Sequence, residues 1–121
     1  MDRDNLLRIR QIIQLVIKQY GLGYPETVYR RIIAIEASYV GLTCVSDVEI
    51  QANWNGQQLP LHATPLLLID GCYLLHIRAM LDNPTEYDFR RIKTYLRSLG
   101  LKFGLVVNFG KQQAQIFSVQ V

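Results

Sequence analysis

Two polar side chains that could do chemistry, His76 and Arg78, lie one residue apart in an otherwise apolar stretch. They follow Asp70-Gly71, a dipeptide that favours a type I′ hairpin turn because both central residues of that turn need positive φ. Residues two apart in a strand share a face, so both side chains should project together from a second hairpin strand at about 72–78. The imidazole could act as a general base, and the guanidinium could bind an anion.

The chemistry open to this pair depends on its partners. The sequence supplies no nucleophile and no orienting group for a general base at His76, so a core or rim histidine bonded to the backbone is the favoured interpretation. Arg78 could form an anion or phosphate pocket with Arg91. Otherwise each arginine is solvated or paired with Glu26 or Asp88.

Glu26 is the acidic candidate. It could be the remnant of a catalytic centre, or a first-turn carboxylate that complements the helix dipole and pairs with Arg30 at i+4. A salt bridge with Arg78 is a further alternative. The buried face of the helix that Glu26 begins is predicted from apolar residues at helical spacing, Val28, Ile32, Ile35 and Tyr39.

The hydrophobic pattern predicts the element order α-α-β-β-β-β-α-β-β. Helices are expected at about 4–20, 25–40 and 85–99, and strands at about 43–54, 57–62, 66–69, 72–78, 102–108 and 113–121. Asn83 or Thr85 should cap the third helix. Trp54, which precedes a second hairpin signal, is expected to pack in the core or across that hairpin rather than stack on a nucleic-acid base.

Length and composition predict one globular domain over residues 1–121, since half of the residues are hydrophobic and 19% are charged. The predicted helices and strands make that domain α/β. The net charge of +3 permits weak binding to an anion but does not indicate a nucleic-acid protein. No stretch approaches the roughly 20 apolar residues of a membrane span, so no membrane partner is expected. Cys44 and Cys72 lack metal-ligand spacing, and a cytoplasmic protein with reduced thiols is predicted.

Several motifs in one order point to a known family. Residues 23–29, GYPETVY, have the pattern G-x-x-E-x-x-Y, and residues 67–71, LLIDG, and 104–110, GLVVNFG, are similar to "LLVDG" and "GLLINFG". Over about residues 9–120 the chain resembles the GxxExxY protein family, a branch of the PD-(D/E)XK nuclease-like fold. The resemblance implies a restriction-endonuclease-like fold, with a mixed, twisted central sheet flanked by helices. Tyr29 of the motif is expected to pack beside the sheet with its hydroxyl bonded nearby.

The resemblance also implies a metal site in active members. An acidic residue at the start of the hairpin and an E-x-K in its second strand would hold Mg²⁺ and stabilise charge near the attacking water, and a helix glutamine often helps. The positions that correspond in this sequence are Pro65 or Leu66 for the acid, His76 and Arg78 for E-x-K, and Arg91 for the glutamine. Only Glu26 matches a functional position of the family.

These departures predict that the chain binds no metal and cleaves nothing. A divalent ion about 4 Å from an arginine is repelled by roughly 8 kcal/mol at an effective dielectric of about 20, before solvent exposure reduces the figure. Asp70 is expected to be a turn residue and not a substitute ligand. No cofactor is therefore predicted, and Mg²⁺ would be required only if displaced ligands support an active nuclease.

The sequence thus predicts a catalytically inactive nuclease-fold protein that acts as a binding or interaction module. Its ligand would be nucleic acid or another anion, bound by basic residues at the remnant site and on the third helix, namely Arg78, Arg90, Arg91 and Lys93. A homodimer or a partner protein could join through an edge strand. The alternative is an active Mg²⁺-dependent DNA or RNA nuclease.

Overall fold

The computed structural model describes residues 3–46, 48–62, 66–110 and 113–121. The elements in these ranges are α1 (Arg3–Tyr20), α2 (Glu26–Tyr39), β1 (Cys44–Val45), β2 (Glu49–Trp54), β3 (Gln57–His62), β4 (Leu66–Ile69), β5 (Tyr73–Arg78), α3 (Glu86–Leu99), β6 (Phe103–Asn108) and β7 (Gln115–Gln120). The predicted α/β class is confirmed. None of the described helices is both long and apolar enough to cross a membrane.

The main sheet has five described strands in the order β1-β4-β5-β6-β7. The two neighbours β5 and β6 are parallel, and α3 connects them, whereas the other pairs are antiparallel. The strands β2 and β3 form a separate antiparallel hairpin. The sheet is therefore mixed, as predicted, and the ends of β5 and β6 come together at its centre.

The structure divides the predicted strand at about 43–54 into two, because β1 belongs to the main sheet and β2 to the separate hairpin. Cys44 and Val45 of β1 pair with Ile69 and Leu68 of β4. A two-residue strand is too short to show alternation in the sequence, so only its pairing with β4 identifies it.

Both predicted hairpin turns are present. Asp70 and Gly71 have φ values of 55° and 64° and connect β4 to β5. The carboxylate of Asp70 also accepts hydrogen bonds from the backbone N–H of Thr43 and the side-chain amide of Asn5, each at 3.1 Å. Asp70 thus ties the turn to the start of α1 and the loop before β1, which agrees with its prediction as a structural turn residue.

Helices cover the two faces of the main sheet. The helices α1 and α2 pack on one face, together with Leu75 and Ile77 of β5, whereas α3 and the start of β2 pack on the other face with Leu74. Alternation along β5 therefore directs His76 and Arg78 toward α3.

Two details of burial differ from the predictions. The helix α2 buries Tyr29, Ile33 and Ala37, while the predicted face residue Tyr39 is 76% exposed. Apolar residues occupy both sides of this helix, so its period is evident in the sequence but its orientation is not. Trp54 is 68% exposed because β2 contacts the core only near its start. Of its two predicted places, the core is wrong, and β2 instead pairs Trp54 with Gln57 across the hairpin.

The start of α3 is fixed by its cap. Thr85 is the N-cap residue, and its backbone N–H donates to the Asp88 carboxylate at 2.9 Å. The helix ends at Gly100 in the left-handed conformation, with φ of 71°. This cap places Asp88, a buried carboxylate, beside the end of β5.

Candidate functional site

His76 lies at the centre of the sheet. Leu66 of β4 and Val106 of β6 are its cross-strand neighbours, and His76 itself is only 3% exposed. Its Nδ1 atom has no hydrogen-bond partner among the described residues. The hydrogen bond to the backbone expected for this histidine is therefore not formed at Nδ1.

The electrostatic surroundings of His76 show which predicted residues the fold brings together. The pKa of His76 is lowered from its ordinary 6.5 to about 4, mainly by burial and also by the charges of Arg78 and Arg91. The carboxylates of Asp88 and Glu26 act in the opposite direction. The other three predicted remnant positions, Glu26, Arg78 and Arg91, therefore lie within electrostatic range of His76, as does Asp88, and His76 is neutral at pH 7.

Arg78 forms an ion pair with Asp88 across 3.8 Å. The side chain of Asp88 is 4% exposed and that of Arg78 is 27% exposed, so the pair closes the site from the side of α3. The Nε atom of Arg78 is buried without a hydrogen-bond partner in the described part of the chain. The guanidinium of Arg78 thus keeps donor capacity that Asp88 does not use.

Arg91 is held by two tyrosines. Its Nε and a terminal nitrogen donate to the Tyr95 hydroxyl at 3.1 and 2.8 Å, and its guanidinium lies 5.5 Å from the ring centroid of Tyr87. The hydrogen bonds that Arg91 donates to the Tyr95 hydroxyl are the main cause that raises the pKa of Arg91, so the guanidinium stays charged. No carboxylate within the described ranges forms an ion pair with Arg91.

The other two predicted binding residues are separate from this cluster. Arg90 forms an exposed i,i+4 pair with Glu86 at 3.0 Å, and Lys93 is exposed on the same helix. An exposed pair of this kind contributes little to stability. Both residues therefore lie on the outer surface of α3, where they could extend a basic surface.

Glu26 occupies the first turn of α2, as predicted, but neither predicted partner binds it. Arg30 donates instead to the backbone carbonyl of Ser46 at 3.2 Å, and Arg78 pairs with Asp88. The predicted Glu26–Arg30 and Glu26–Arg78 salt bridges are thus wrong for the described structure. The carboxylate of Glu26 is half-buried near His76.

The contacts of Tyr29 give the tyrosine of the G-x-x-E-x-x-Y motif a structural role. Its hydroxyl donates to the Gly21 carbonyl at 2.7 Å, and its ring stacks on Phe109 with 4.2 Å between centroids. The predicted packing of Tyr29 beside the sheet is confirmed. These contacts hold the first turn of α2, and with it Glu26, at the ends of β5 and β6.

Asn108 is the main residue that the sequence predictions missed. It is fully buried, and its amide oxygen accepts hydrogen bonds from the backbone N–H groups of Met80 and Gly110. Its amide nitrogen donates to the carbonyls of Met80 and Asp82. A polar residue that ends an apolar strand before Phe-Gly could have signalled this network, which fixes the segment that follows Arg78.

An open cleft of about 340 Å³ adjoins the cluster. It is lined by Leu22, Gly23, Tyr24, Ala79, Leu81, Phe109 and Gly110. Because Ala79 directly follows Arg78, the cleft opens at the same end of β5 as the arginine.

A family model described as the PD-(D/E)XK nuclease superfamily matches residues 4–119. The chain belongs to this superfamily. Neither the curated proteins nor the solved structures contain a match to it. The mixed sheet, the flanking helices and the hairpin of β4 and β5 agree with a nuclease-superfamily fold.

The residues of this superfamily member do not fit the Mg²⁺ ion that the fold implies. Of the two residues predicted from the resemblance at the position of the acidic ligand, Leu66 is apolar and 1% exposed, and Pro65 lies outside the described residues. The carboxylate of Asp88 is already used by Arg78 and Thr85. Across the described ranges, no group of three or more His, Cys, Asp or Glu side chains could hold a metal ion.

Proposed function

We propose that this domain is a member of the GxxExxY branch that binds nucleic acid without cutting it, with Arg78 and Arg91 contacting backbone phosphates. The observation that carries the proposal is the state of Arg91. Two tyrosines hold its guanidinium in place, no carboxylate of the described chain pairs with it, and, like Arg78, it lies within electrostatic range of His76. A fixed guanidinium binds phosphate oxygens through two parallel hydrogen bonds.

The same residues argue against hydrolysis. Metal-dependent cleavage needs oxygen ligands at the reaction centre, and here Arg78 and a buried neutral His76 occupy the positions of the E-x-K motif. The guanidinium of Arg78, paired with Asp88, holds a positive charge where the metal ion of an active member would bind. The positive charge of Arg78 thus both disfavours a metal ion, which cleavage needs, and favours an anion.

The alternative is an active nuclease with displaced ligands. It is favoured by one observation, that the Glu26 carboxylate lies near His76 with no ion pair to either predicted arginine in the described structure. It predicts cleavage of single-stranded or branched DNA, or of RNA, with Mg²⁺ or Mn²⁺. The Glu26→Ala variant would then lose that cleavage.

The binding proposal is tested by fluorescence anisotropy with labelled DNA and RNA strands at several salt concentrations. We expect Arg78→Ala and Arg91→Ala each to weaken binding at least about tenfold, since a hydrogen bond to a charged group contributes about 1.5–3 kcal/mol. Each variant should also reduce the slope of log affinity against log salt by about 0.7 for a single strand.

The matched control is Arg8→Ala, which removes the same charge from α1, where Arg8 lines a groove with Glu36 and Tyr39. Its affinity should stay close to that of the unmodified protein. Unchanged affinity in both Arg78→Ala and Arg91→Ala would refute the proposed site. Cleavage of any strand that depends on Glu26 would instead support the nuclease alternative.

A further inference from the structure

The apolar cleft beside Arg78 has no role in phosphate binding. We infer that it receives an unpaired nucleobase, so that the ligand is a single strand rather than a duplex. This inference rests on the proposed function and goes beyond it, because phosphate contacts alone do not distinguish single strands from duplexes.

Two aromatic residues, Tyr24 and Phe109, line the cleft, and Tyr29 packs behind both of them. Tyr29 stacks on Phe109, with 4.2 Å between centroids and an interplanar angle of 7°, and Tyr24 meets Tyr29 edge-on at 5.8 Å. Tyr29 and Phe109 are fully buried, whereas Tyr24 is 45% exposed. The two inner rings support Tyr24, whose exposed surface is available for stacking with a base.

The rim of the cleft is apolar and exposed. Leu81 is 84% exposed and Leu22 is 43% exposed, on opposite segments of the chain that both line the cleft. The floor is rigid at Gly110, where an added Cβ would lie 1.9 Å from the Met80 carbonyl oxygen. A planar ring can enter between such walls, and water gains few hydrogen bonds by remaining there.

The position of the cleft at the end of β5 that carries Arg78 favours a nucleotide as its occupant. Ala79 lines the cleft and directly follows Arg78, and Tyr24 lies two residues before Glu26, whose charge acts on His76. The cleft therefore opens at the end of β5 that carries Arg78, although the Arg78 side chain itself lies on the side of the sheet that faces α3. A strand whose phosphate binds Arg78 can direct the neighbouring base into the cleft. A base in a duplex is stacked and paired and cannot enter without leaving the helix.

The test compares a 12-nucleotide thymidine strand with a 12-nucleotide strand of abasic sites, which carries the same phosphates and no bases. With the unmodified protein we expect the thymidine strand to bind about 5- to 150-fold more tightly, the range for stacking of one base on an aromatic ring. A 12-base-pair duplex should compete more weakly than the thymidine strand. Equal affinities for the thymidine and abasic strands would overturn the inference.

Two variants assign the preference to the cleft. Tyr24→Leu removes the exposed ring, and Leu81→Ala removes a side chain so exposed that folding should be unaffected. Both should reduce the preference for thymidine over abasic strands and leave the salt dependence unchanged. The matched control Tyr39→Leu alters an exposed tyrosine of α2 that lines a different groove, and it should retain the preference.

The possible outcomes distinguish a failure of this inference from a failure of the proposed function on which it rests. If Arg78→Ala weakens both strands while the unmodified protein binds them equally, the cleft inference is wrong and the phosphate site stands. If the protein binds neither strand at low salt, the proposed function is wrong and the cleft inference fails with it. A preference for bases that survives both Tyr24→Leu and Leu81→Ala would also refute the cleft as the base site.

Discussion

Mild acid should destabilise this domain through His76. The folded state holds the imidazole in its neutral form, because burial and the charges of Arg78 and Arg91 lower its pKa from 6.5 to about 4, against the weaker effects of Asp88 and Glu26. The unfolded chain binds the proton at an ordinary pKa. Between pH 6.5 and pH 4 the unfolded state therefore holds more protons, and the free energy of unfolding falls as the pH falls.

The size of this effect follows from the two pKa values of His76. A shift from 6.5 to about 4 corresponds to about 3 kcal/mol when the linkage is complete. At pH 5 the unfolded state is almost fully protonated and the folded state hardly so, which gives a loss of about 2 kcal/mol relative to pH 7.5. In urea this loss lowers the unfolding midpoint by roughly 1 M.

The assay is urea unfolding at pH 7.5, 6 and 5 for the unmodified protein and for His76→Leu. The leucine cannot titrate, and its neighbours Leu66 and Val106 are apolar. We expect the unmodified protein to lose about 2 kcal/mol more than His76→Leu between pH 7.5 and 5. Other groups titrate in both proteins, so the difference between the two profiles isolates His76.

Nuclear magnetic resonance supplies a direct measurement of the same pKa. The chain has two histidines, and a His62→Gln variant leaves the signal of His76 alone in the imidazole region. Parallel unfolding profiles for the unmodified protein and His76→Leu would refute the reasoning. A measured pKa near 6.5 would do the same, because it would mean that the imidazole is neither desolvated nor close to the two arginines.

Two further predictions concern Gly110 and Asn108, which contact Met80 in the segment that follows β5. Gly110→Ala should destabilise the fold by more than about 3 kcal/mol, because its Cβ would lie 1.9 Å from the backbone oxygen of Met80. Gly104→Ala is the comparison in thermal melts, and it should cost less because its closest contact, the Ile92 side chain at 2.8 Å, can shift. Asn108→Leu should cost at least about 3 kcal/mol by leaving several buried backbone groups unpaired, and a melting temperature within a degree of the unmodified value would contradict this.

Local chemistry explains the features that the sequence determined by itself. Asp70-Gly71 turns the chain because only residues that tolerate positive φ suit this turn, and Gly100 ends α3 for a similar reason. The helical and alternating patterns located the helices and most strands to within a few residues. The resemblance also predicted that His76 and Arg78 take the place of the E-x-K motif, and this stays a prediction.

Tertiary packing decided what the side chains at the site contact. Two carboxylate partners, Glu26 and Asp88, were open to Arg78 from the sequence, and only the capped start of α3 shows that Asp88 binds it. The orientation of α2 was equally open, because both sides of the helix carry apolar residues, and the stacking of Tyr29 on Phe109 selected one. A hydrophobic pattern shows the period of a single helix or strand. The contacts at a site depend on how several elements are rotated relative to one another. Only the packing of their shared core determines that rotation.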